Sequence, residues 1–87
     1  MNGISAAEEA RIVELVGAAA STRDAVAAVR GAFPRLRATP VDALDVRDET
    51  PARSVAGRSV YWVESDGHCR RVTASAERAD GLLLAEG

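Results

Sequence analysis

The stretch Ser59–Thr73, SVYWVESDGHCRRVT, decides the fold. Two runs rich in β-branched and aromatic residues flank Asp66-Gly67, a dipeptide that tolerates the positive φ angles of a tight hairpin turn. The chain's only Tyr, Trp, His and Cys all lie here, between Tyr61 and Cys69. Strands are predicted over Arg58–Glu64 and Cys69–Ala74, and two registers fit them. A two-residue turn at Asp66-Gly67 sets Ser65 opposite His68 and Glu64 opposite Cys69. A three-residue turn, Ser65–Gly67 with Gly67 left-handed, sets Glu64 opposite His68, Val60 opposite Val72 and Trp62 opposite Arg70; this one is preferred. Either register places Trp62 across from an arginine, a cation–π pair worth about 0.5–1 kcal/mol when exposed.

Upstream of the hairpin the period changes from two to 3.6. Ser5 and Glu8 form a capping box, and Ile4, Ile12, Leu15, Val16 and Ala19 then share one stripe, predicting a helix over about 5–20. Ser21 to Asp24 opens a second helix, whose Thr22, Val26, Val29 and Phe33 share a face until Pro34 stops it. Leu36 to Val46 reads as an edge strand bulged at Pro40, and Arg47–Gly57 as a surface loop. Downstream, Ser75–Ala79 makes one helical turn, Asp80-Gly81 a bend, and Leu82–Ala85 a buried strand. Helices and strands are segregated in this order. The expected fold is therefore α+β, with two N-terminal helices packed on one face of a three- to four-stranded antiparallel sheet.

Eighty-seven residues make one domain with a small core. Of its 41 hydrophobic residues 18 are alanine, leaving 23 larger ones, so self-association is a means of burying more surface. A single cysteine builds no disulfide framework and suits a reducing compartment. The start, MNGISAAEEARIVELV, lacks a basic region before its apolar residues, and no apolar run approaches a bilayer span. The expected location is the cytoplasm, with no membrane contact. Net charge is −2, which supplies no global attraction for nucleic acid. All eleven basic residues are arginine, and with the alanine content this points to a GC-rich, bacterial genome.

The residues that carry chemistry are few. Glu64, Asp66, His68 and Cys69 are metal-capable types, and Glu64, His68 and Cys69 are the candidate ligands. His68 and Cys69 are adjacent and point to opposite faces of a strand, so no tetrahedral site closes within one chain. For the same reason His68 is no base for a Cys69 nucleophile, and Cys69 reads as a small buried hydrophobe. Gly57, Gly67 and Gly81 are isolated turn glycines and not a phosphate cradle. Asp42, Asp45, Asp48 and Glu49 read as a solvated stretch without a calcium-loop pattern. No catalytic residue, cofactor or resident metal is expected.

The function expected from these residues is that of a cytoplasmic, non-catalytic accessory or interaction protein. Its partner would be an unidentified protein or a second copy, joined as a homodimer through the sheet or hairpin. The interaction candidates are Tyr61, Trp62, His68, Arg70 and Arg71, because Trp, Tyr and Arg dominate interface hot spots. The competing reading of Trp62 is the core's largest residue. Two rival functions are a small-ligand or metal-binding domain using Glu64, His68 and Cys69, and a winged-helix-like nucleic-acid binder. The latter would use Arg23, Arg30, Arg35 and Arg37 with Arg70 and Arg71 on the wing.

Overall fold

A computed structural model describes residues 3–66 and 69–86. Helix α1 (Ala6–Ala18) starts at the expected box: Ser5 Oγ accepts from the Glu8 N–H at 3.1 Å, and Glu8 Oε1 accepts from the Ser5 N–H at 2.9 Å. The Ser5 N–H, followed by the Arg35 guanidinium, holds the Glu8 carboxyl below the usual carboxylate range. Helix α2 (Thr22–Ala32) is capped by Ser21, whose Oγ accepts from the Asp24 N–H at 3.0 Å. Ile12 and Val16 of α1, with Ala25, Val26 and Val29 of α2, form the buried faces.

Five strands follow: β1 (Arg37–Val41), β2 (Arg53–Val55), β3 (Arg58–Asp66), β4 (Cys69–Thr73) and β5 (Gly81–Glu86). Their spatial order is β1-β5-β3, with β2 and β4 sharing the far side of β3. β2 pairs with the first residues of β3 and β4 with the last. All neighbours are antiparallel except β1 and β5, which run parallel with Ala38 beside Leu82. The sheet is therefore mixed and five-stranded, which corrects the expected three- to four-stranded antiparallel one. The physical reason is β5. It inserts between β1 and β3 rather than extending the hairpin.

Alternation then divides the sheet into two faces. Val60, Trp62, Leu82, Leu84 and Ala38 point at the helices and join Ile4, Ile12, Val16 and Val29 in the main core. Tyr61, Val63, Leu83, Ala85 and Val72 lie on the opposite face. There the connection from β1 to β2 must travel from one margin of the sheet to the other. It does so as a strap across that face, residues 42–52, pinned where Val46 packs with Tyr61 and Ala85. The strap opens with a 3₁₀ turn, Ala43–Val46, because Asp42 accepts from the Leu44 N–H at 2.9 Å. This turn replaces the second half of the expected strand Leu36–Val46. Pro40 sits unbulged in the ladder beside Leu84.

Pro40 is tolerated because of which way its nitrogen faces. The Arg37 N–H donates toward β5, to the Asp80 carbonyl at 3.3 Å, so residues 38 and 40 turn their backbone groups outward. The outward Ala38 carbonyl accepts from Arg30 Nε at 2.9 Å, and Pro40 has no N–H to present. Both features close the outer edge of β1.

The expected loop Arg47–Gly57 contains β2 and a two-residue connection to β3, Ala56-Gly57, between the paired Val55 and Arg58. Both connecting residues have positive φ, 51° and 77°, the requirement of a type I′ turn. Alanine carries the strain of that conformation, so Ala56→Asn is expected to raise unfolding stability by about 0.5–1 kcal/mol. A urea midpoint equal to or below that of the parent would sink this reading of the turn.

The long hairpin adopts neither expected register. Asp66 pairs with Cys69, Ser65 with Arg70, Glu64 with Arg71, Val63 with Val72 and Trp62 with Thr73. A one-residue slip exchanges the faces of a whole strand, so burial excludes the three-residue-turn register. The two-residue-turn register keeps the same faces and differs from the observed one by a shift of two positions. Val63 and Val72 must meet on the strap side while Trp62 faces the helices. Trp62 thus has no arginine opposite it, and the cation–π pair does not form in this ladder.

A candidate cleft on the strapped sheet face

Arg70 is the side chain around which a site assembles. It lies opposite Ser65 on the strap face, and its guanidinium reaches over β3 to β5. A β-carbon added at Gly81 would stand 2.9 Å from Arg70 Nη2 and would also collide with the Arg37 carbonyl. The missing side chain at Gly81 therefore seats the guanidinium close to the sheet backbone. Gly81 is not the turn residue expected from the sequence; it is the first residue of β5, paired with both Arg37 and Val63.

Around Arg70 lies a cleft of about 320 Å³. Val63, Val72 and Leu83 form its floor, Asp45, Val46 and Glu49 of the strap one wall, and β4 at Arg70 and Arg71 the other. Arg70 supplies the strap-face guanidinium, and Arg71 is set opposite Glu64 on the other face. Arg71 also donates from Nε to Glu64 Oε1 at 3.1 Å. No ion pair among the described residues joins the two walls. One wall is thus anionic and the other cationic, above an apolar floor. Such a lining orients a ligand by charge while the floor supplies contact area. Leu44, on the strap one residue before Asp45, is 71% exposed.

The other expected site residues disperse. Trp62 is 2% exposed in the main core, and Tyr61 is 5% exposed under the strap, so neither ring offers surface to a partner. Cys69 is exposed, not buried as expected, because β4 lies at the margin of the sheet. Glu64 and Cys69 share a face by register, but Glu64 is engaged by Arg71. His68 lies outside the described residues, as does the Asp66 side chain. Among the described residues no three His, Cys, Asp or Glu side chains gather closely enough to hold a metal ion.

The arginines fall into two places. Arg30, Arg35 and Arg37 line a shallow cleft of about 500 Å³ at the corner between α2 and β1, and the Arg37 carbonyl approaches Gly81 beside the Arg70 guanidinium. Two of these three are already engaged, Arg30 with the Ala38 carbonyl and Arg35 with Glu8 at 2.6 Å. No helix among the described residues is long and apolar enough to cross a membrane.

Sequence reasoning found Arg70 and Arg71 but missed the rest of the cleft. Asp45 and Glu49 were visible as part of an acidic stretch; the crossing of the strap that carries them over β4's neighbour was not. Gly81 carried the missing signal, since a glycine opening a buried strand implies close approach of another group. No protein-family model, curated protein or solved structure matches this chain.

Proposed function

We propose that this protein is a small, non-catalytic interaction module whose contact surface is the strapped face of the sheet. The observation that carries the reading is the seated Arg70 guanidinium facing Asp45 and Glu49 across an apolar floor. Protein contact surfaces combine exposed apolar area with oriented charge, and arginine is enriched among their energetic anchors. Leu44 extends the apolar area beyond the cleft. Contact through a face also suits this sheet better than contact through its edges. β1 is closed by Arg30 and Pro40, and exposed Arg70 and Arg71 charge the margin at β4, a pattern that disfavours strand addition.

The test compares the untagged protein with Arg70→Glu and Leu44→Asp, using Arg23→Glu on α2 as the control. Chemical cross-linking in cells of its origin, followed by native mass spectrometry, identifies bound proteins or a second copy. Both strap-face variants are expected to lose a contact that Arg23→Glu retains, with melting temperatures unchanged. An identical set of contacts in all four proteins would defeat the proposal.

A further inference from the structure

We infer that the cleft takes a short peptide segment of a protein partner, one that carries a basic residue, an apolar residue and a carboxylate in succession. The inference rests on the strapped face being a contact surface, and it names the occupant. Charge complementarity carries it. A carboxylate fits the Arg70 guanidinium, which Gly81 holds over the sheet backbone, and guanidinium forks favour carboxylates through paired hydrogen bonds. A cation fits the opposite wall, where Asp45 and Glu49 stand without an ion pair to β4. Between these walls the floor of Val63, Val72 and Leu83 accepts an apolar side chain.

The surroundings favour a segment over a compact molecule. Exposed Leu44 immediately precedes the acidic wall, so an occupant extending past Asp45 gains further apolar contact. A strand added to the edge of β1 would gain none of these contacts, because that edge is closed by Arg30 and Pro40.

The probes are the blocked pentapeptide Arg-Ala-Leu-Ala-Glu and its versions with glutamine at the first position, the last, or both. Amide resonances of Val63, Val72 and Leu83 in the 87-residue protein report binding by NMR titration. Saturable shifts are expected with the doubly charged peptide. Each glutamine replacement is expected to weaken binding about two- to fivefold, the range of a solvent-accessible ion pair. In Arg70→Gln the effect of removing the peptide glutamate is expected to vanish while that of removing its arginine persists. Asp45→Asn combined with Glu49→Gln is expected to do the converse. These exchanges are surface changes, and native-like spectra confirm that the variants fold.

Equal binding of all four peptides, or none by any of them, overturns the inference. Shifts produced as strongly by free leucine would assign the cleft to a small zwitterion and overturn it too, as would concentration-dependent shifts without peptide, which mean a second copy. If peptides fail while Arg70→Glu still loses a cross-linked protein, the contact surface stands and only the peptide assignment falls.

Discussion

Trp62→Ala is expected to remove about 3–5 kcal/mol of stability, the cost of deleting a large aromatic side chain from a closed core. The ring is 2% exposed and sits in the cluster that joins both helices to β3 and β5. Because it lies between the two layers, no single neighbour can shift to refill the space without breaking a second contact. Small domains carry only about 5–15 kcal/mol in total, so the variant should be partly unfolded at 37 °C. Urea unfolding followed by far-ultraviolet circular dichroism measures the loss. A cost below about 1 kcal/mol would contradict this placement, since buried truncations of this size rarely cost so little. The result also governs how contact data are read: a partner lost from a Trp62 variant reports unfolding of the scaffold.

The second large effect is expected at Arg58. Its side chain is 9% exposed, and Nη1 donates to the Val16 and Ala19 carbonyls, both at 2.9 Å. These are among the last carbonyls of α1, which has no basic residue in its final turn and no intrahelical donor for them. One guanidinium on β3 therefore closes the helix end and ties it to the sheet. Opposing this, a charge is buried, and its Nε finds no partner among the described residues. Arg58→Met keeps the stem and removes that charge, which relieves desolvation. The abandoned carbonyls decide the sign, because an unsatisfied buried acceptor such as that of Val16 costs about 1–3 kcal/mol and the part-buried Ala19 acceptor adds a smaller share. A net loss of about 2–4 kcal/mol is expected, with faster hydrogen exchange concentrated at the end of α1. Stability equal to the parent would mean that the helix end is satisfied without Arg58.

What the sequence revealed follows the range of the interactions involved. The caps at Ser5 and Ser21 are local, and both helices begin where those residues place them. The β3–β4 hairpin is local as well, but its register is not, since it depends on Trp62 facing α1 and α2 and on Val63 facing the strap. β2 went unseen because three residues ending at Ala56-Gly57 offer no alternation to read, and alanine is an unusual occupant of a left-handed position. The parallel pairing of β1 with β5 joins residues some forty positions apart, which no local pattern encodes. The candidate cleft inherits this limit. Arg70 was legible as a charged hairpin residue, whereas its seat at Gly81 and the carboxylates facing it come from distant segments.

The position of β5 has a consequence for how the chain acquires its structure. The helices and the β2–β3 and β3–β4 hairpins are each built from contacts between nearby residues, the kind that form early. Among the described residues β1 has no sheet neighbour other than β5, and Arg58–Val63 of β3 wait for it on one side. During synthesis the first 80 residues can therefore pair only in part, and the layers lock when Gly81–Glu86 slides between two strands already present. A nascent chain halted before that point exposes the flank of β3 and the apolar faces of both helices, the surface that chaperones and proteases recognise. In this architecture β5 acts as a keystone, and it makes quality control sensitive to the integrity of Gly81–Glu86.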